Sequence, residues 1–335
     1  MKLLIAFILF LSSLNVNENN SLSSHLARNY IVYDSNIDEV LEGKDYQTSY
    51  SVASISKIMT AIIALESESL FDIVIVDEII NTIEGSSLYL SIGDKITLID
   101  LVYGLILRSG NDAAVLIAKY IGKDVSNFVN IMNNKAKEIG MNNTLFSNPS
   151  GLDVFDKGNI SSCYDMALLM DYCMENPLFE EIVNTKYYKS NIKGIWTNKN
   201  KLLHTYKYCV GGKTGYTKKA RRTLITAGRK NYDSLIIVTF DCSNDFSFHK
   251  QIYEKYFEAN QYVVFLDKGI NYIDEYCIYS DKVIGLRIKK SITSGIKMYH
   301  INPISNTLNI KLISDNNLYV LDKEFPVSYS INYSR

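Results

Sequence analysis

Ser51-Val52-Ala53-Ser54-Ile55-Ser56-Lys57-Ile58-Met59-Thr60-Ala61-Ile62-Ile63-Ala64-Leu65 sets a serine and a lysine three residues apart at the start of an apolar run. Residues i and i+3 share a helix face, so Ser54 and Lys57 are expected side by side in the first turn. Unpaired N–H groups at a helix start can also serve a developing oxyanion. Ile58, Met59, Ala61, Ile62, Ile63, Ala64 and Leu65 make the helix apolar on most sides, which predicts burial in the core. A lysine at such a place must find a partner or lose its charge. Ser-x-x-Lys recurs at Ser190–Lys193, Ser247–Lys250 and Ser294–Lys297, so the pattern alone does not select a site.

The chain of 335 residues is 47% apolar with four prolines and a formal net charge of −1, as expected of one or two folded domains. No Lys/Arg block dominates, which argues against nucleic-acid binding. At the N-terminus, Met1-Lys2 precedes the apolar run Leu3 to Leu11. That run is too short for an ordinary membrane span and reads as a signal peptide over residues 1–15, with an uncleaved anchor as the alternative. Both readings send the folded part across the inner membrane, to a periplasmic or extracellular location, and leave membrane association open. The cysteines are Cys163, Cys173, Cys209, Cys242 and Cys277, an odd count without C-x-x-C spacing. They suggest neither a zinc site nor a disulfide framework, and no cofactor is expected.

Going outward from Ser54, a hairpin is expected around Asn29–Tyr33 and Glu39–Leu41. Helices are expected at Leu98–Leu107, Ala113–Ile121, Phe128–Ile139, Cys163–Met174 and His249–Glu258, and strands at Thr223–Ala227 and Ser234–Phe240. Gly110 is expected to supply a turn, with Asn111 or Asp112 capping the helix that follows. Asn198 to Lys207 reads as polar and exposed. From Val263 onward the runs Val263–Leu266, Val283–Ile288, Leu308–Ile313 and Leu318–Leu321 predict a small β-rich domain over 263–335, after a larger domain over 25–262.

Two further motifs single out Ser54. Ser109-Gly110-Asn111 and Lys213-Thr214-Gly215 follow it in that order, and Lys-Thr-Gly occurs once. Ser-x-x-Lys, Ser-x-Asn and Lys-Thr-Gly together are the signature of penicillin-binding proteins and serine β-lactamases. With Gly85-Ser86-Ser87, Asn148-Pro149, Gly151-Leu152 and Tyr216-Thr217, residues 27–258 resemble the low-molecular-mass penicillin-binding proteins, the serine-type D-alanyl-D-alanine carboxypeptidases. The resemblance implies an α/β (α+β) fold: an antiparallel sheet flanked by helices, with a helical subdomain. It implies substrates that are peptidoglycan stem peptides ending in D-Ala-D-Ala, and covalent binding of β-lactam antibiotics.

The resemblance also implies roles. Ser54 is the nucleophile, Lys57 its base, and Ser109 a proton relay to the leaving amine. Asn111 holds the substrate backbone, Lys213 is a second cation, and Thr214 and Thr217 contact the terminal carboxylate. The oxyanion hole is formed by the N–H groups of Ser54 and Tyr216, beside Gly215. These motifs do not rank carboxypeptidase against endopeptidase action. A β-lactamase would need a carboxylate on a loop between the second and third motifs, and no Glu-x-x-Leu-Asn occurs there. A non-catalytic relative is disfavoured by the intact motifs, and a Ser-His-Asp hydrolase by the lack of a Gly-x-Ser-x-Gly elbow. The chain departs from the family at Val52, where proline is usual, and at Arg221, where glycine is usual. Arg221 could distort its turn, sit there as a solvated surface residue, or offer a cation to the substrate carboxylate.

Overall fold

A computed structural model describes residues 27–153, 158–273, 276–280, 283–290, 295–302, 305–314, 320–326 and 328–331. The leader and residues 15–24 lie outside the described residues. A five-stranded antiparallel sheet organises residues 27–259. Its strands are β1 (Ala27–Asp34), β2 (Glu39–Lys44), β3 (Cys209–Thr217), β4 (Arg221–Lys230) and β5 (Asp233–Cys242), in the order β2-β1-β5-β4-β3. Side chains alternate across a strand, and both faces are covered. Ile31, Tyr33, Ile225, Ile236 and Val238 join the core of the helical side. Tyr30, Val32, Leu235 and Ile237 pack instead with Phe248, Ile252, Tyr253 and Phe257.

The helices are α1 (Lys57–Leu65), α2 (Leu98–Leu107), α3 (Asn111–Gly122), α4 (Val125–Ile139), α5 (Cys163–Met174), α6 (Pro177–Asn184), α7 (Lys201–Thr205) and α8 (Asp245–Ala259). Every residue of α1 is buried, as its apolar circumference requires. Thr97, Asp124 and Ser162 cap α2, α4 and α5 by accepting from backbone N–H groups in the first turn. His249 of α8 lies in the core, where its Nδ1 and Nε2 meet Thr226 Oγ1 at 2.8 Å and Thr239 Oγ1 at 3.0 Å. Burial pushes this imidazole down to about 3, so it is neutral and structural.

Two local expectations change. Asn198 to Lys207 is not an exposed stretch. Asn198, Asn200, Leu202, Leu203 and Tyr206 are buried, because the two asparagine side chains satisfy the turn themselves. Asn198 Oδ1 accepts from Asn200 N at 2.9 Å, and Asn200 Oδ1 from Leu202 N at 3.1 Å. Gly110 lies in the turn before α3 as expected, and the left-handed residue of that turn is Ser109, at φ +63°. The capping position of α3 is Gly110, and Asp112 turns back to the 85–88 loop instead. Four cysteines are buried, and all five are free thiols.

After α8 come antiparallel strands. Asn260–Leu266 pairs with Ile284–Lys289, Gly269–Ile273 with Tyr276–Ser280, and Gly295–Asn302 with Thr307–Ser314. They enclose a separate apolar cluster that includes Leu266, Ile278, Leu286, Leu308 and Ile310. Arg287 reaches from this part to the main sheet. It donates to Asp34 Oδ2 at 2.6 Å and grips Asp233 with its Nε and Nη2. Among the described residues no helix is long and apolar enough to cross a membrane.

Candidate active site

The serine of the opening stretch sits one step earlier than expected, in a 3-10 turn (Ala53–Ser56) that leads into α1. Ala53 adopts φ +51°, a left-handed conformation rare for an L-residue with a Cβ. That kink turns Ser54 out of the buried helix and leaves it half-exposed, while Lys57 below it is fully buried.

Lys57 Nζ has three partners: Ser54 Oγ at 3.0 Å, Asn111 Oδ1 at 2.7 Å and the Ser150 carbonyl at 2.5 Å. Asn111 Nδ2 donates to the Glu84 carbonyl at 2.6 Å, which fixes its amide with the oxygen toward the lysine. Burial, then Lys213 and Lys199, hold the Lys57 amine well below its ordinary value. A neutral amine has two protons and one lone pair. Asn111 Oδ1 and the Ser150 carbonyl can only accept, so they take both protons. Once the amine is neutral, that leaves its lone pair for Ser54 Oγ.

Each motif has a structural share in this arrangement. The Asn148–Gly151 loop lies over the start of α1, where Thr60 Oγ1 donates to the Pro149 carbonyl at 2.7 Å. Asn148 Oδ1 shapes the loop by accepting from Gly151 N at 2.7 Å. Asn111 and Asp112 anchor the Gly85-Ser86-Ser87 loop. Asn111 N donates to the Ser86 carbonyl at 2.7 Å, and the Asp112 carboxylate accepts from Ser87 Oγ at 2.6 Å and Leu88 N at 2.8 Å. Ser109 and Lys213 are buried. Burial and Lys199 push the Lys213 amine down to about 7. Strand β3 lies directly against Ser54, since a Cβ on Gly215 would stand 3.0 Å from Ser54 N. Thr214 is half-buried and Tyr216 is exposed.

Thr217 differs from expectation. Its hydroxyl donates to Asp153 Oδ2 and accepts from Ala220 N at 3.0 Å. Asp153 Oδ1 also accepts from Ser51 Oγ at 2.9 Å. The single proton of Thr217 is therefore spent inside the protein. Sequence reasoning passed over Asp153 and Lys199. Lys199, at the rim, donates to Ser86 Oγ at 3.1 Å and is held below its ordinary value by partial burial and Arg108. Asp153 follows the Gly151-Leu152 motif directly, which was the available signal. Lys199 lies in a stretch read as solvated and carried none.

Gly151 provides a direct check of the loop. It has φ +78°, and a Cβ there would lie 2.0 Å from the Ala53 carbonyl oxygen. Gly93 has φ +87° and nothing within 4 Å. Gly151→Ala is expected to slow penicillin acylation at least about ten-fold and to destabilise the fold by more than the ~1–2 kcal/mol of left-handed strain alone. Gly93→Ala should show the strain alone. Thermal melts and acylation rates of the two variants make the comparison.

The sequence profile of the D-alanyl-D-alanine carboxypeptidase family, peptidase family S11, matches residues 15–244. The D-alanyl-D-alanine carboxypeptidase DacF of Bacillus subtilis is 29% identical over 293 residues, 84% of this chain and 72% of that protein. DacB2 of Mycobacterium tuberculosis, another D-alanyl-D-alanine carboxypeptidase, is 33% identical over 215 residues, 63% of this chain and 73% of that protein. Penicillin-binding protein 5 of Haemophilus influenzae has a similar fold, with a TM-score of 0.74 at 22% identity over 92% of this chain and 96% of that one. Three motifs around one buried lysine, a profile match over most of the chain and a common fold agree: the chain belongs to the D-alanyl-D-alanine carboxypeptidase family, peptidase family S11.

Proposed function

We propose that this chain is a serine-type D-Ala-D-Ala carboxypeptidase that removes the terminal D-alanine of peptidoglycan stem pentapeptides through an acyl-enzyme on Ser54. The observation that carries the reading is the contact of the buried Lys57 Nζ with Ser54 Oγ at 3.0 Å, made by an amine that burial holds well below its ordinary value. A serine hydroxyl is a weak nucleophile until a base takes its proton, and the contact lies within the reach a base needs.

Ser54 Oγ attacks the carbonyl carbon between the two D-alanines and its proton passes to Lys57. The charge on the carbonyl oxygen is met by the N–H groups of Ser54 and Tyr216, a contact worth about 3 kcal/mol in the transition state. The C–N bond then breaks. Ser109 passes its proton to the departing amine and takes in exchange the proton that Lys57 received from Ser54, so D-alanine leaves and Lys57 is again a free base. Water, deprotonated by Lys57, opens the ester and restores Ser54. Asn111 holds the peptide backbone, while Lys213 adds to burial in lowering the Lys57 amine and faces the substrate with Thr214. A β-lactam opens its ring amide on the same oxygen. The leader over residues 1–15 and the wall substrate suit a protein sent across the inner membrane.

The test is incubation with a D-Ala-D-Ala-terminated pentapeptide, together with mapping of a penicillin adduct by mass spectrometry. The expected result is release of D-alanine and an adduct on the peptide that contains Ser54. No release, an adduct elsewhere, or rapid multiple turnover of nitrocefin would overturn the assignment.

A further inference from the structure

We propose that Arg221 binds the terminal carboxylate of the peptide substrate, a role that rests on the carboxypeptidase reading above. A substrate that ends in a free carboxylate carries that charge a few ångströms from the scissile carbonyl, and the family resemblance directs it to β3 at Thr214 and Thr217. Thr217 is the next residue after Gly215 on the same face of that strand, because side chains alternate. Its proton is given to Asp153. The Asp153 carboxylate also repels an incoming anion, so a donor with positive charge has to come from elsewhere.

Register singles out Arg221. It stands opposite Thr217 across the β3–β4 hairpin, and directly paired residues share a face. Farther along β4 that face holds Thr223, whose Oγ1 donates to the Val52 carbonyl at 2.9 Å, beside the nucleophile's turn. Arg222 is on the other face, where it grips Asp245 of α8 at 2.8 and 3.1 Å. Arg221 is exposed and makes no ion pair among the described residues.

The backbone makes the choice of arginine conspicuous. Arg221 has φ +60°, a conformation that a side chain with a Cβ adopts at a cost of about 1–2 kcal/mol and glycine adopts freely. Strain of this kind clusters at active sites and ligand clamps, and turn residues of this chain such as Asp38 and Asn231 carry it too. A planar guanidinium suits a carboxylate because it can donate two parallel hydrogen bonds.

The experiment compares wild type with Arg221→Gly, Arg221→Ala and Arg221→Lys on two peptides, one ending in D-Ala-D-Ala and one in the neutral D-Ala-D-alaninamide. For the acid, Arg221→Gly and Arg221→Ala are expected to raise KM about ten-fold with kcat within about two-fold, the scale of one ion pair. KM for the amide should stay put, so the preference for the acid narrows by the same factor, and Arg221→Lys should recover part of it. Arg221→Gly should also melt higher than wild type. If Arg221→Gly melts higher and the acid-over-amide ratio is unchanged, Arg221 is a turn residue only and the proposal is overturned. Equal changes for both peptides overturn it too. Absence of D-alanine release by the wild type would instead reject the underlying activity.

Discussion

Replacement of Lys57 by methionine is expected to slow acylation of Ser54 by roughly 10²–10⁴-fold, a barrier increase of about 3–5 kcal/mol. Methionine fills a similar volume without supplying a lone pair. The effect should appear in penicillin labelling and in D-alanine release alike, since both begin with the same proton transfer. Near-UV circular dichroism shows whether the fold survives.

The pH dependence follows from the same group. In the proposed mechanism acylation uses the unprotonated amine, so kcat/KM should rise with pH through the folded-state value of Lys57 and level off above it. Burial, Lys213 and Lys199 lower that value, which places the rise well below 10.5. Removing the Lys213 charge takes away one of those causes. In Lys213→Met the rising limb should move to higher pH, as measured by penicillin acylation rates across pH. A limb that stays in place would mean that the two lysines are not coupled.

The second large effect is on stability. Arg287→Met is expected to destabilise the protein by about 3–5 kcal/mol. The side chains of Arg287, Asp34 and Asp233 are 6%, 0% and 5% exposed. Water cannot replace the guanidinium, so its loss leaves two carboxylates facing each other in the interior. Even with the arginine present, burial outweighs its attraction and pushes Asp34 up to about 6. A carboxyl raised in this way is tolerated while protonated and opposes folding as pH rises from about 3.8 through 6. Without Arg287 the value rises further. The deficit of the variant should therefore shrink on acidification, and urea unfolding at pH 7.5 and 5 measures both numbers. A deficit that does not change with pH would mean that the carboxylates are already solvated.

The candidate site was more legible in the sequence than the fold around it. A nucleophile, a base and a backbone-binding amide are specific residue types, and chain order ties Ser54 to Ser109 and Lys213 without knowledge of the path between them. The amphipathic helices were legible for a related reason, because period and caps are local. Partnership was harder to see. Nothing local marks Asp153 as the acceptor for Thr217, or Arg287 as the counter-ion of Asp34. Asn198 and Asn200 read as solvated because side chains that close a turn internally have the composition of a surface loop. Gly110 does sit in the turn before α3, but the left-handed residue there is Ser109, which no local composition marks.

The strand order β2-β1-β5-β4-β3 has a kinetic consequence. The first strand of the sheet is matched with the last, Ala27 opposite Cys242, and the Ser234 to Asn36 hydrogen bond spans 198 residues. Contacts this remote are slow to form, because the entropy of closing the loop is lost before any pairing rewards it. Until β5 has emerged, β1 and β2 have no sheet to join and β4 lacks its inner neighbour. A growing chain thus carries Ser54 and Lys57 long before it has the strands and loops that bury Lys57 beside Ser54. The serine stays an ordinary hydroxyl until nearly the whole of residues 27–242 is free to close at once.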